Sequence, residues 1–275
     1  MLYTEAYFPV YRYVVGRLEE TYAGLAGVFF PGVTVPPVET LLLSESDYTA
    51  RLDPRTAGQF TRRTPAAHGL LVIRESRHRW EVDRYAAHEL VHRFIAAKYP
   101  AMPVWLEEGV ATYLDTIVID GQQAEVGRLA TLTAGREDGS LRSLHQLATE
   151  DAGRFYGDDM SRNYHAATEF VRWLLAPHRD GEGNLGLTKW SRLMGPYAAG
   201  DTARDSPEQI AARVLPELGP AEVQAQVKAH MAGIDNASKY PIWVFPFPPL
   251  PRAGLTAAPA DREYLKRLCA ALQPH

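Results

Sequence analysis

The pattern of hydrophobic and polar residues in the first third of the chain predicts one helix and two strands. Apolar residues recur at spacings of three and four positions between Tyr11 and Phe30, which is the period of an amphipathic helix. Val38 to Ser44 and Leu70 to Glu75 are short runs rich in leucine and branched aliphatic residues, and such runs are typical of buried strands. The polar stretch from Thr56 to His68 predicts a loop between these two strands.

The remainder of the chain is predicted to be mainly helical. A helix from about Glu81 to Lys98 is apolar on two sides, as expected of a helix that lies inside a domain. Pro103 suits the start of a second helix. From about Glu125 to Met231 the pattern is helical with interrupting loops. The segment from Tyr240 to Pro251 holds five prolines, which exclude a regular helix or a central strand.

This order of elements predicts an α+β fold class with three parts. Residues 1–118 would form an N-terminal lobe of a small sheet and two helices, and residues 119–235 a mainly helical C-terminal lobe that completes a cleft. Two short strands are predicted around an Asp120-Gly121 turn. Residues 236–275 would form a proline-rich arm and a terminal helix.

The amino-acid composition and charge limit the classes of binding partner that we expect. The chain has 275 residues, of which 46% are hydrophobic and 23% charged, as in ordinary soluble domains. A net charge of −4 without a basic block argues against nucleic acid, and no apolar run approaches the roughly 18 residues of a transmembrane helix. The first residues lack a secretion signal, so we expect a cytoplasmic protein, with export open if the native start lies upstream. The sequence does not indicate an oligomeric state, and its single cysteine, Cys269, excludes an internal disulfide.

The five residues His88-Glu89-Leu90-Val91-His92 form the most informative motif in the chain. Two histidines four positions apart lie on one face of a helix, about one turn from each other, so one metal ion can bind both imidazoles. Glu89 lies beside them and is placed to take a proton from a metal-bound water. This HExxH spacing is typical of zinc hydrolases.

A catalytic zinc site needs a third protein ligand and one open position. The run from Pro103 to Tyr113 predicts a helix that carries Glu107 and Glu108. These two carboxylates point about 100° apart on the helix, so one can face the metal while the other faces solvent or supports the site. The spacing alone leaves both glutamates open as the third ligand.

The HExxH motif followed by W-L-x-E-G-x-A-x-Y, from Trp105 to Tyr113, resembles the gluzincin metallopeptidases. It looks most like the bacterial peptidase-MA-like domains related to thermolysin and the aminopeptidase N group, and the likeness covers about residues 38 to 177. The resemblance implies a zincin-like fold for the N-terminal lobe. It also implies that the glutamate directly before the glycine, Glu108, is the third ligand of one zinc ion.

The same resemblance implies a zinc-dependent peptidase mechanism. Zinc bound by His88, His92 and Glu108 would activate a water for attack on a peptide or protein substrate. Glu89 would act as the general base and pass the proton to the leaving amine.

The resemblance further implies an oxyanion donor, a tyrosine or histidine in the helical lobe. The Asn163-Tyr164 pair opens a predicted helix and selects Tyr164, with His165 and Tyr156 as alternatives. Thr112 and Asp115 are candidates to orient the metal-binding histidines, and the sequence does not choose between them.

Other function classes remain open at this point. A catalytically silent zincin-fold protein would act in binding or scaffolding, but the intact Glu89 argues against it, because a purely structural metal site needs no base. A metal hydrolase acting on a non-peptide amide would share the same chemistry. The strand from Leu70 to Glu75 precedes the metal helix and would accept an extended peptide by strand addition, unless it is an inner strand.

Overall fold

The computed structural model describes the chain in several segments. These are residues 8–35, 39–61, 70–76, 79–120, 123–126, 141–175, 185–200, 205–236 and 243–246. Within them the chain is mostly helical and contains two three-stranded sheets, which is compatible with the predicted α+β class. Cys269 and the predicted terminal helix lie outside the described residues.

Three strands form the first sheet: β1 (Glu39–Leu43), β2 (Gly58–Thr61) and β3 (Leu70–Arg74). β3 lies in the centre of the sheet, parallel to β1 and antiparallel to β2. The first four residues of β3 are buried, which explains its continuous apolar run. Because β3 is an inner strand, the hypothesis that it accepts a peptide along its edge is wrong.

The sequence pattern did not predict the strand β2. The prediction of a loop from Thr56 to His68 is wrong at Gly58–Thr61, which pair with β3 through Gly58 opposite Ile73 and Thr61 opposite Leu70. The strand lies at the end of the sheet, where polar residues and glycine are tolerated. Gln59, for example, is exposed. Residues 62–69 lie outside the described part of the chain.

A small core lies on one face of this sheet. Alternate residues of neighbouring strands point to the same face, and the aromatic ring of Tyr48 joins them from the short helix α2 (Glu45–Thr49). Ser44 caps α2 by accepting a hydrogen bond from the backbone of Asp47 at 3.1 Å. The buried members of the core are Leu41, Leu43, Tyr48, Leu70 and Val72.

Helices precede and follow the first sheet along the chain. α1 (Phe8–Gly24) continues into a π-helical turn, Leu25–Phe29. After the sheet come α3 (Arg79–Lys98) and α4 (Val104–Leu114). An ion pair of 3.7 Å between Arg17 and Asp83 connects α1 with α3.

The predicted pair of short strands near Asp120 is present as β4 (Val118–Asp120) and β5 (Gln123–Val126). A further strand, β6 (Trp243–Pro246), joins them at one end in the order β4-β5-β6. Within its described residues, 243–246, the proline-rich segment forms an end strand, as the prolines require.

Six helices make up most of the remaining described chain. They are α5 (Leu144–Thr149), α6 (Ala152–Phe155), α7 (Met160–Leu175), α8 (Leu185–Ala198), α9 (Pro207–Val214) and α10 (Pro220–Asn236).

Two contacts show how closely α4 and α7 pack. A Cβ atom built at Gly109 would lie 2.7 Å from the carbonyl oxygen of Ala167. The rings of Trp105 and Phe170 meet edge to face at 5.3 Å. Glycine at this position therefore lets the two helix backbones approach.

By their internal contacts the residues divide into two compact units. The first comprises Met1–Arg93, Ile117–Ala124 and Phe245–His275, and the second comprises Phe94–Thr116 and Glu125–Val244. The helix α3 is continuous through this division. The predicted domain boundaries after residues 118 and 235 stay a prediction.

The described helices also bear on membrane association. Within the part of the chain that the structure describes, none combines the length and the apolar character that a membrane span requires.

Candidate metal centre

The two histidines of the HExxH motif meet on α3. They are separated by four positions, so their side chains lie one turn apart on the same face. The Nε2 atoms of His88 and His92 are 3.1 Å apart, and the pair is partly buried. Their rings meet edge to face, with centroids 4.8 Å apart and planes inclined by 74°.

The helix α4 brings a carboxylate to the same place. It begins after Pro103, whose extended backbone caps the helix and whose carbonyl oxygen accepts from the N–H groups of Leu106 and Glu107 at 3.0 Å. Glu108 is only 5% exposed, whereas Glu107 is half-buried. The two carboxylates therefore differ in their surroundings, as their offset around the helix requires.

One ligand atom from each of His88, His92 and Glu108 lies within 4.8 Å of the other two. Among the described residues, these three form the only such group of histidine, cysteine or acidic side chains. A tetrahedral zinc ion with Zn–N distances of about 2.0–2.1 Å separates two nitrogen ligands by about 3.3 Å, close to the distance between the two Nε2 atoms. The group can hold a metal ion, and its donors are of the types that zinc accepts.

Glu89, on α3, lies against the end strand β2. Its side chain is 6% exposed. A Cβ atom built at Gly58 would lie 2.6 Å from Glu89 Cγ and 2.8 Å from Glu89 Oε1. The absence of a side chain at Gly58 thus leaves the space in which the Glu89 carboxylate rests.

A buried phenol lies in the electrostatic field of Glu89. Burial raises the pKa of Tyr48 to about 12, and the negative charge of Glu89 adds to the rise. A hydrogen bond of 2.7 Å with the hydroxyl of Thr56 opposes the rise. Tyr48 is therefore protonated at neutral pH and adds no negative charge near Glu89.

The three candidates for the oxyanion donor have different surroundings in the structure. Tyr156 donates a hydrogen bond of 2.5 Å from its hydroxyl to Glu108 Oε1. Tyr164, on α7, packs its ring 5.3 Å from Phe155 and 6.5 Å from Tyr156. His165 is buried, with 2% of its surface exposed. The role of Tyr164 stays a prediction.

The two residues predicted to orient the histidines, Thr112 and Asp115, are both buried. Within the described residues the buried hydroxyl of Thr112 has no hydrogen-bond partner, so it does not orient a histidine here. Asp115 is buried, with 7% of its surface exposed.

Sequence reasoning missed two contacts of this site. The contact of Gly58 with Glu89 was missed because β2 lies in a stretch whose polar character predicted a loop. The hydrogen bond from Tyr156 to Glu108 was missed because it joins residues far apart in the sequence. The Phe155-Tyr156-Gly157 segment, which places an aromatic residue before a glycine, was the one signal available for it.

Comparison of the chain with protein-family models, with curated proteins and with solved structures gives no match. What the chain can do is therefore inferred from its own side chains and their arrangement.

Proposed function

We propose that the protein is a zinc-dependent peptidase of the gluzincin type, with one zinc ion held by His88, His92 and Glu108. The observation that carries the proposal is the convergence of these three donors, with a buried glutamate, Glu89, at the position directly after His88. The proposal includes a zincin-like arrangement of the first sheet with α3 and α4.

The donor set favours zinc among the common metal ions. Two imidazole nitrogens and one carboxylate oxygen are ligands typical of catalytic zinc, and three protein ligands leave a fourth position for water or substrate. Calcium and magnesium prefer oxygen ligands throughout. Because no thiolate takes part, the set is not that of the cysteine-rich structural zinc sites.

A bound zinc ion would supply a Lewis acid that activates a water and polarises the carbonyl of the scissile bond. Glu89 is the general base in this proposal: one of its carboxylate oxygens takes a proton from the attacking water and returns it to the leaving amine nitrogen. Contact with Gly58 holds this carboxylate in place. The hydroxyl of Tyr164 would donate to the oxygen of the attacked carbonyl, with His165 as the alternative, because Tyr156 donates its hydroxyl proton to Glu108.

The substrate in this proposal is a peptide or protein segment in extended conformation. β2 ends the first sheet among the described strands, and its Gly58 lies against Glu89. A peptide that pairs with the outer edge of β2 would run past the proposed base, and its backbone would supply the hydrogen bonds of an added strand.

The test combines metal analysis with a cleavage assay. We expect about one zinc per chain in the purified wild-type protein and in Glu89→Gln. The wild type should cleave members of a peptide library, and Glu89→Gln should lose on the order of 10²–10⁴-fold in turnover. Glu107→Gln, on the neighbouring position of α4, is the matched control and should cleave as the wild type does.

Two results would contradict the proposal. A wild-type protein without bound zinc, even after incubation with the metal, would remove its basis. A protein that binds zinc at these three residues and cleaves no peptide would favour the binding or scaffolding function instead.

A further inference from the structure

The proposed third ligand is a buried carboxylate that receives a hydrogen bond from a phenol. Glu108 is 5% exposed, and Tyr156 donates to its Oε1 atom at 2.5 Å. A buried carboxylate is costly unless hydrogen bonds or a cation compensate its charge. The phenol therefore offsets part of the cost of burying Glu108 and fixes one of its two oxygens in space.

The position of Tyr156 is set by a short, well-anchored turn. Tyr156 follows the four-residue helix α6, which is capped by the side chain of Asp151 accepting from the backbone of Arg154 at 2.9 Å. The fully buried side chain of Asn163 donates from Nδ2 to the carbonyl oxygen of Phe155 at 2.9 Å. This bond ties the end of α6 to α7 immediately before Tyr156.

Ring contacts complete the support of Tyr156. The ring of Phe155, itself fully buried, meets the ring of Tyr156 edge to face at 5.4 Å. Phe155 also contacts Tyr164 at 5.3 Å. Asn163 and Tyr164 therefore both support the turn that carries Tyr156. The ring of Tyr164 contacts Phe155, and the side-chain amide of Asn163 donates to the carbonyl oxygen of Phe155.

We propose that Tyr156 is a positioning residue that orients Glu108 for the metal ion, and that Asn163 holds the turn on which Tyr156 lies. This inference rests on the metal site of the proposed function and is independent of peptide hydrolysis. The hydrogen bond restricts rotation of the carboxylate, so less orientational freedom is lost when the metal binds. Partners that hydrogen-bond metal ligands typically contribute about 10- to 100-fold in metal affinity.

The test is the zinc affinity of Tyr156→Phe, measured by competition with a chromophoric chelator. Phenylalanine keeps the ring and its contact with Phe155, so the fold should persist. Tyr113→Phe is the matched control, because Tyr113 lies on α4 and its buried hydroxyl has no hydrogen-bond partner among the described residues. Thermal unfolding of both metal-free variants checks that the two proteins are folded.

We expect zinc to bind Tyr156→Phe about 10- to 100-fold more weakly than the wild type, while Tyr113→Phe binds zinc as the wild type does. If Tyr156 acted only through the packing of its ring, Tyr156→Phe would leave the arrangement of the three metal ligands unchanged. The visible absorption bands of the cobalt-loaded protein should therefore differ between Tyr156→Phe and the wild type, and should be the same in Tyr113→Phe and the wild type.

Failure of this inference can be distinguished from failure of the proposed function. If the wild type binds zinc and Tyr156→Phe binds it equally tightly, the positioning role is wrong and the proposed function stands. Equal weakening in Tyr156→Phe and Tyr113→Phe would also overturn the positioning role, since loss of any buried phenol would then suffice. A wild type that binds no zinc would overturn both.

Discussion

Gly58 of β2 and Glu89 of α3 are in such close contact that a methyl group at position 58 would lie 2.6 Å from Glu89 Cγ. The two residues are far apart in the sequence and belong to different elements. The strand therefore determines where the carboxylate of Glu89 can lie.

Gly58→Ala should impair turnover and leave metal binding intact. The added Cβ atom would force the Glu89 side chain to rotate, and misplacing a catalytic group by about 1 Å costs on the order of 10²-fold in rate. Steady-state kinetics and zinc analysis measure the two effects. Gln59→Ala, at the exposed neighbouring position of β2, is the control. Full activity of Gly58→Ala would show that Glu89 has room to adjust.

Gly109→Ala should destabilise the protein. The new Cβ atom would lie 2.7 Å from the carbonyl oxygen of Ala167, and a backbone atom cannot move aside as a side chain can. Overpacking of this kind costs about 1–3 kcal/mol, which exceeds the gain of at most about 1 kcal/mol from replacing glycine in a helix. Urea denaturation measures the change in the free energy of unfolding.

The matched control for Gly109 is Gly16→Ala on α1, because a Cβ atom built at Gly16 has no neighbour within 4 Å. We expect this variant to be as stable as the wild type or slightly more stable. Loss of stability in Gly16→Ala but not in Gly109→Ala would contradict the packing that we describe between α4 and α7.

The assignment of the third ligand predicts different effects for two neighbouring glutamates. Glu108→Ala should lose zinc together with activity, as should His92→Ala, because two remaining ligands bind the metal weakly. Glu107→Ala should retain zinc. Elemental analysis after gel filtration provides the measurement. Retention of zinc by Glu108→Ala, with loss in Glu107→Ala, would reverse the assignment.

The buried amine of Lys189 should make the free energy of unfolding depend on pH, independently of the candidate metal site. The side chain is fully buried, donates from Nζ to the carbonyl oxygen of Trp173 at 2.9 Å and lies 4.2 Å from the centroid of the Trp173 ring. Burial lowers the pKa of Lys189 from 10.5 to about 7. The folded state therefore releases the proton near pH 7, whereas the unfolded chain keeps it until about pH 10.5.

Between these two pH values the unfolded state binds more protons, so the free energy of unfolding contributed by Lys189 rises with pH. Below pH 7 the cost of burying the amine is present in full, and at pH 7 it is present almost in full. Lys189→Met should thus stabilise the protein at pH 7 by about 4 kcal/mol, because lowering the pKa from 10.5 to about 7 costs about 1.4 kcal/mol per pKa unit and the lost hydrogen bond offsets about 1 kcal/mol of this gain.

Urea denaturation of wild type and Lys189→Met at pH 7 and at pH 9.5 tests this expectation. The stability difference between the two proteins should shrink as the pH rises, and taking the difference cancels the groups that titrate in both. A difference that is constant across this range would mean that the Lys189 pKa is close to its ordinary value.

Local patterns in the sequence predicted the parts of the structure that depend on neighbouring residues. The spacing of His88 and His92 places both on one helix face, and the structure brings their Nε2 atoms to 3.1 Å. Pro103 predicted the start of a second helix, and α4 begins directly after it at Val104. Such features follow from the period of one helix and need no knowledge of the rest of the chain.

Local patterns could not predict contacts between residues that are far apart in the sequence. Gly58 meets Glu89 only because β2 pairs with β3, and a polar strand of four residues carries little periodic signal. Tyr156 and Tyr164 are both aromatic residues near the start of α7, and no local pattern indicates that Tyr156 bonds to Glu108. The bond from Asn163 to Phe155 anchors the turn that carries Tyr156, and the sequence does not indicate this bond either.

The three candidate metal ligands all come from the stretch between His88 and Glu108, in two successive helices. The loop that must close to bring them together is short, so its entropic cost is small. Contacts this local can form early during folding, before the sheet pairs residues that are more distant in sequence. A zinc ion present during synthesis would then meet its ligands ahead of the rest of the fold and would favour the nascent pair of helices over competing collapsed states.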